Sequence, residues 1–473
     1  MKKNREIVSQ QVSLTDWYTS IVEKAELIHY SSIKGFMSFL PRGWAIWELI
    51  QQHLNYKFKQ LGIKNVAMPS LFPYSDLLLE SKHVEGFKPE LFLVTNKGDD
   101  VLTDPYVLRP TSEVAFCKLW SETLQNYNQL PMLYNQWCSV FRVEKNTRPF
   151  LRNSEFHWQE MHGAFGDEKT CQQMVVALHE TYAWLINEVL MIPTLTGLKS
   201  PNERFAGALQ TYTLETIMPD GQALQSATSH HLGQNFAKAF DIKFQTKENK
   251  YEHVHTMSAG MSTRIIGGLI MSHGDDNGLV LPFNIAPDQI VIATLPNTDA
   301  TVNEAINQIK MTLAQKYRVS VDNSNASLGS KLSKQEVYGT PLTIVIGPKD
   351  LAENKVVLKW RNSFEKVSVS LNDLLTTIAS GSQAYDRQLY DKVKQRYEQQ
   401  IVQVKNYDEF KAALNDKKII LAPWAGNEND EVKLKQETGA TARCIYQNIH
   451  QENLKCFFTN QPAKFLIYFG RSY

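Results

Sequence analysis

The sequence predicts a mixed α+β protein of two or three domains, and three observations support this. Two stretches, 136–162 and 203–231, each carry paired runs of alternating polar and apolar residues joined through a turn, the pattern of antiparallel hairpins. Strong helical periodicities precede and separate them. Past Pro282 and Pro287 the pattern changes to short β-rich runs alternating with helical segments, which predicts a compact α/β domain followed by a small final module. A chain of 473 residues can bury that many cores.

Composition narrows the class. With 43% hydrophobic, 21% charged and 11% aromatic residues, wholesale disorder and low-complexity character are excluded. The formal net charge of +1 argues neither for nor against a nucleic-acid partner, so any such surface must be a local patch. Five cysteines, Cys117, Cys138, Cys171, Cys444 and Cys456, form no Cys-x-x-Cys pair and fit reduced thiols. The basic start turns polar without an apolar targeting segment, and no apolar run reaches membrane-spanning length. These features predict a cytoplasmic protein with no membrane association.

In chain order, Leu14, Trp17, Tyr18, Ile21 and Ala25 recur at helical spacing and predict an amphipathic helix whose stripe is core. Gly35 and Pro41 then punctuate the entry to a helix with Trp44, Trp47, Ile50 and Leu54 on its apolar face. Such a face suits core or subunit interface equally. Residues 64–73 read as a strand running into a proline-terminated loop, and Phe87 and Glu90 lie near a second strand. Residues 107–116, VLRPTSEVAF, join a strand to a helix; before any resemblance is considered, helix capping is the simpler account of Thr111 and Glu113.

The first hairpin includes VFRVEKNTRPFLRNSEFHWQEMH, residues 140–162, with predicted arms 136–144 and 152–162 around a polar loop at 145–147 closed by Arg148-Pro149. Strand alternation places Arg142 with Glu144 on one face, and Arg152, Phe156, Trp158, Glu160 and His162 together on the second arm. Solvated strands seldom space Phe and Trp among Arg, Glu and His, and a plain core face would not carry those charges without partners. A functional surface is the better reading.

A strongly periodic helix follows at 168–192, and the second hairpin turns at Asp220-Gly221 and ends in Thr228, Ser229, His230 and His231. With His253 and His255 these histidines raise the question of a metal, but no His-Glu-x-x-His or cysteine-pair spacing supports one. Residues 257–282 read as a strand, Arg264, and a helix in which Gly267 and Gly268 permit close packing. Beyond lie predicted strands at 288–296, 318–322, 341–346 and 354–360, a helix at 301–317, and a polar helix at 383–404. Neither a phosphate-binding Gly-x-x-x-x-Gly-Lys-Ser/Thr loop nor a dinucleotide glycine fingerprint occurs. The aromatic terminus, KFLIYFGRSY, predicts a docked end.

The first hairpin together with LRPTSE, SATSHHLGQNF and MSTRIIGG resembles the prolyl-tRNA synthetases, class II aminoacyl-tRNA synthetases, of the archaeal and eukaryotic-like type. The resemblance covers essentially the whole chain, and the order and spacing of the motifs carry it. Motif 1 corresponds to 35–61 with Pro41, motif 2 to the hairpin with Phe141-Arg142-x-Glu144, and motif 3 to the segment containing Arg264. It implies a class II catalytic domain with an antiparallel six- or seven-stranded sheet over 1–286, an anticodon-binding α/β domain over 287–403 and a zinc-domain-like module over 404–473. It further implies ATP-dependent ligation of L-proline to tRNA(Pro) through a prolyl-adenylate, with Mg2+ accompanying ATP. A homodimer built on motif 1 would make Trp44 and Trp47 candidates for its surface or supporting core.

By the same resemblance Arg142 bridges the amino-acid carboxylate and the α-phosphate, and Phe156 and Arg264 sandwich adenine, with Arg264 also reaching the γ-phosphate. Glu144, Arg152, Gln225 and Thr228 resemble further ATP contacts. Thr111 and Glu113 resemble the pair that receives proline's ammonium, while Trp158, Glu160 and His162 align with the proline pocket. His230, Ser262, Phe205, Phe87 and Glu90 are weaker pocket candidates, and Glu336 and Arg361 are candidate anticodon contacts. The interval between motifs 2 and 3 is filled by the helix and second hairpin, so no editing domain is expected. Relatives commonly hold zinc with four cysteines in the last module, but the aligned positions here are Ala425, Asp430, Cys456 and Thr459, so no zinc is expected. Packing of Ile419, Leu421, Trp424, Phe465, Ile467 and Phe469 is expected to hold the module instead. An inactive RNA-binding or regulatory relative should have lost the charged residues; Thr111, Glu113, Arg142, Glu144 and Arg264 are all present.

Overall fold

The computed structural model describes residues 7–79, 91–295, 300–363, 365–448 and 454–473. The first helix, Leu14–Lys24, is capped by Ser13, whose hydroxyl accepts from Asp16 N at 3.2 Å, and it buries Trp17, Tyr18, Ile21 and Val22. The second, Pro41–Gln60, starts on proline, whose missing N–H is not needed in a first turn. Trp47 of this helix is buried in the chain's own core, 5.5 Å from the Trp137 ring, and so takes the core role. Trp44 is only partly buried, edge-on to Phe39 and His157.

Among the described residues the largest sheet has eleven strands. Seven of them come from the first 262 residues, in the spatial order Thr194–Leu198, Gln210–Ile217, Ala223–Gly233, His255–Ser262, Glu155–Phe165, Met132–Phe141 and Lys64–Asn65. Every pairing is antiparallel except the last, at the edge. The helix Glu168–Trp184 packs across the middle of this sheet. The second hairpin turns where expected: Gly221 has φ +78°, and a Cβ there would meet Lys417 O at 1.7 Å.

The first hairpin differs from its predicted outline. Its ladder runs from Met132↔Ala164 to Phe141↔Glu155, so residues 142–154 form an excursion longer than the loop expected at 145–147. Arg142, Glu144 and Arg152 therefore lie outside the strands. Pro149 and Phe150, the latter at φ +60°, turn the chain, and Arg148 and Arg152 exchange backbone hydrogen bonds at 2.7 and 2.9 Å. A period of two relates side chains only while the ladder persists, and the ladder ends before these residues.

The following domain has a five-stranded sheet in the order Val319–Asp322, Ile290–Thr294, Leu342–Ile346, Lys355–Trp360 and Val367–Ser370. The predicted helix at 383–404 instead spans Leu374–Gln400, and Ile401–Gln403 is a strand. Local propensity hides its start, since Thr376, Thr377, Ile378 and Gly381 are middling or poor helix formers. Tertiary packing overrides it: Leu374 and Ile378 are buried, and Gly381 lies so close to Trp360 that a Cβ would meet the ring at 2.4 Å.

Four C-terminal strands, Ile401–Gln403, Ile419–Trp424, Phe465–Gly470 and Thr441–Asn448, extend the main sheet through the bridge Ile445↔Leu198. Their core centres on Phe410, Trp424, Phe457 and Phe469. Of the residues expected to hold this module, Ile419, Trp424, Ile467 and Phe469 are buried and Leu421 and Phe465 partly so.

Candidate active site

The helix Glu113–Thr123 begins beside the hairpin, with Ser112 at its N-cap position. The side chain of Ser112 makes no capping bond; its hydroxyl donates to Glu160 Oε1 at 2.5 Å, and Thr111 donates to the Glu113 carboxylate. The capping account of Thr111 and Glu113 is thus overturned. All three residues are buried; the Thr111–Glu113 bond is local, and Ser112 reaches across to Glu160, 48 positions along the chain.

Glu160 is the hub of this wall. It also accepts from Gln136 Nε2 at 2.7 Å and Ser112 N at 3.2 Å, and it hydrogen-bonds His162 Nε2 at 2.9 Å. His162 in turn stacks on Phe116, with centroids 4.2 Å apart. A buried carboxylate with this many partners holds its neighbours in fixed rotamers. The acid is a frame for the pocket as well as part of its lining.

Arg142 leaves the end of the first strand, donates through Nε to Pro110 O at 3.1 Å, and sits 5.5 and 5.7 Å from the Phe156 and Trp158 ring centroids. Arg264, at the start of the helix Arg264–His273, donates through Nε to Leu151 O at 3.0 Å. Burial, and then the nearby guanidinium groups of Arg142 and Arg152, pull Arg264 down to about 10. It stays charged at neutral pH. Arg152 is balanced by Glu144, with which it pairs at 2.6 Å, so Arg142 and Arg264 are the two guanidinium groups that face the cavity, and their mutual repulsion favours a bound anion.

A cavity of about 230 Å³ unites these residues. Thr111, Glu113, Arg142, Phe156, Trp158, Glu160, His162, Gln225, Thr228, His230, Ser262, Arg264 and Phe205 all line it. Burial pushes the His230 imidazole down to about 4, so it is neutral at pH 7; its Nδ1 lies 3.0 Å from Thr211 Oγ1 and its ring 4.6 Å from Phe205. Glu144 and Arg152 do not line the cavity; they pair with each other at 2.6 Å on the excursion beside it. Phe87 and Glu90 lie outside the described residues. Glu203, Arg204, Thr211 and Ser258 line the cavity without having been singled out from the sequence. Glu203 and Arg204 lie within two residues of the candidate Phe205, whereas no candidate lies that near Thr211 or Ser258.

Arg361 is buried, with its guanidinium held by both Asp275 oxygens at 2.6 and 2.9 Å and its Nε donating to Glu336 O and Leu279 O. It fastens the α/β domain to the end of the catalytic helix. The Glu336 carboxylate pairs with Lys359. In the last module Ala425 and Cys456 are buried in the aromatic cluster, and among the described residues no three His, Cys, Asp or Glu side chains converge to hold a metal ion.

The hairpin carrying Arg142, the helix that starts at Arg264 and most of the antiparallel sheet lie within a class II aminoacyl-tRNA synthetase core. Residues 92–273 match the tRNA synthetase class II core domain (G, H, P, S and T), residues 289–380 the anticodon binding domain, and residues 407–473 the prolyl-tRNA synthetase C-terminal domain. The chain is 46% identical to a proline–tRNA ligase of Ureaplasma urealyticum and 44% identical to one of Ruminiclostridium cellulolyticum, each alignment covering 100% of both chains. The crystal structure of prolyl-tRNA synthetase from Cryptosporidium parvum, complexed with halofuginone and AMPPNP, is similar with a TM-score of 0.95 and 34% identity, covering 100% of this chain and 98% of that one. The chain belongs to the prolyl-tRNA synthetase family.

Proposed function

We propose that the chain joins L-proline to tRNA(Pro) in two steps. The proline carboxylate attacks the α-phosphorus of ATP, forming the acyl–phosphate bond and expelling diphosphate. The terminal ribose hydroxyl of the tRNA then attacks the acyl carbon and expels AMP. The observation that carries this reading is the single cavity that gathers Arg142 and Arg264 with the buried Thr111–Glu113 pair. The first two suit phosphate and carboxylate oxyanions; the last suits a secondary ammonium with two N–H donors.

On this reading Arg142 spans the two substrates, Phe156 and Arg264 enclose adenine, and Glu144, Arg152, Gln225 and Thr228 complete the nucleotide site. Trp158, Glu160, His162, His230 and Ser262 shape the proline pocket, with Phe205 beside them. Mg2+ fits as an ion carried in on the nucleotide, because no protein cluster of three metal-binding side chains is present among the described residues. When bound it neutralises the diphosphate leaving group. We assign catalysis to 1–286, tRNA anticodon recognition to 287–403 and a zinc-free supporting role to 404–473.

The test is diphosphate exchange with proline, alanine, cysteine and threonine. Proline should support exchange at the highest kcat/KM, with cysteine behind it and alanine, which lacks two ring methylenes, behind by roughly 10²–10⁴-fold, at about 10–200-fold for each missing methylene. Absence of proline-dependent exchange would sink the reading.

We also propose a cytoplasmic homodimer. No helix among the described residues is long and apolar enough to cross a membrane. Leu71, Leu93 and Val101 stand exposed on the three-stranded sheet Leu71–Pro73, Asp100–Leu108 and Phe92–Lys97, and Leu78 and Leu79 are exposed just beyond it. The register puts Leu71 and Leu93 on opposite faces of this sheet, so they form no single patch, and the dimer reading rests on the motif 1 resemblance. Sedimentation at micromolar concentration should give twice the chain mass; a fully active monomer would refute the dimer.

A further inference from the structure

The cavity wall includes Glu203, Arg204 and Phe205, from a segment that begins at Lys199 and contains the short helix Pro201–Glu203. Its far end is gripped by the C-terminal helix Glu428–Thr438: Ser200 Oγ donates to Glu431 Oε1 at 2.8 Å, Asn202 Nδ2 donates to Glu428 O at 2.8 Å, and Lys435 Nζ lies 3.6 Å from Glu203 Oε1. Glu431 is 5% exposed. Its near end is tied to the pocket, where Phe205 N donates to Thr211 Oγ1 at 3.2 Å. The strand leading into the segment is itself pressed against the C-terminal module, since a Cβ on Gly197 would meet Ile445 O at 2.1 Å.

We propose that the C-terminal module, through Glu431, is a positioning device that holds the 199–205 segment over the amino-acid end of the active site. A segment this short, with few backbone hydrogen bonds of its own, takes its geometry from what clamps it. The clamp lies more than 200 residues further along the chain. Glu431 touches no substrate; it acts through Ser200, and the effect falls on the pocket wall that Phe205 and His230 share. The kinetic part of this proposal rests on the proline-ligase reading, and the structural part does not.

The experiment uses the full chain with Glu431→Ala and Glu431→Gln, measuring diphosphate exchange kinetics and backbone hydrogen exchange. Glu431→Ala should raise the proline KM about tenfold, the loss expected for one hydrogen bond to a charged group, and leave the ATP KM within about twofold. It should also speed amide exchange in 199–205 about tenfold while the strands Gln210–Ile217 and Ala223–Gly233 keep their protection. Glu431→Gln, whose amide oxygen still accepts from Ser200, should stay near the parent. Unchanged segment protection in Glu431→Ala, or protection lost equally from both strands, overturns the proposal. If the parent shows no proline-dependent exchange, the functional reading fails and hydrogen exchange alone decides the positioning role.

Discussion

Arg142→Ala should lower proline-dependent diphosphate exchange by roughly 10²–10³-fold, about 2.7–4 kcal/mol, the cost of removing one preorganised donor from a developing oxyanion. Arg142 is fixed before substrate arrives: Pro110 O takes its Nε, and the Phe156 and Trp158 rings lie beside its guanidinium. Charge builds on the α-phosphoryl oxygens as the new bond forms, and a planar fork of donors meets it without reorganisation. Lysine should recover little, because a point charge cannot bridge two oxyanions in the same way. The Phe156 and Trp158 surroundings should keep the variant folded, so its melting curve should match the parent's. Exchange within tenfold of the parent would remove Arg142 from the transition state.

Glu215→Gln is expected to cost stability rather than chemistry. Glu215 is fully buried on the strand Gln210–Ile217, with Lys199 Nζ at 2.6 Å from one oxygen and Arg443 Nε at 2.6 Å from the other. Removing the carboxylate leaves two buried cations without their counter-charge, a loss of about 3–5 kcal/mol. At roughly 2–4 °C per kcal/mol for a domain of a couple of hundred residues, the melting temperature should fall about 10 °C. The pH dependence has a definite sign. Burial pushes the Glu215 carboxyl up, but Lys199 and Arg443 outweigh it and hold the group below its ordinary value. Its stabilisation is therefore full above the unfolded-state pKa and is lost as pH falls through the lower folded value, in the acid range. Glu215→Gln should lack that acid-limb loss, and a variant melting within 2 °C of the parent, a margin well under the shift for 3 kcal/mol, would show the triad to be dispensable.

Much of the site was legible because strand and motif spacing survive translation into space. Phe156, Trp158, Glu160 and His162 alternate on one ladder and reach one cavity. The second hairpin, with its Asp220-Gly221 turn, delivers Gln225, Thr228 and His230 to the same place. Where the ladder stopped, the rule stopped with it: Arg152 was assigned to a strand face and lies instead on the excursion, paired with Glu144. Arg361 was a candidate anticodon contact by resemblance, and its burial against Asp275 was not legible, because nothing in its own neighbourhood names a partner 86 positions away.

The sequence by itself determined the hairpins, the order of the three motifs, the change of pattern near Pro282 and the identity of most residues around the cavity. The hairpins and the change of pattern are properties of local period and chemical type; the motif order and the cavity residues came through the family resemblance that those motifs carry. Only the tertiary structure decided that Thr111 and Glu113 bond each other rather than cap a helix, and that the C-terminal strands continue the catalytic sheet. It alone brought Glu431 to Ser200 and Arg443 to Glu215, across 231 and 228 positions. The physical reason is the same in each case: a buried polar group must find a partner, and which partner it finds depends on which surfaces folding brings together.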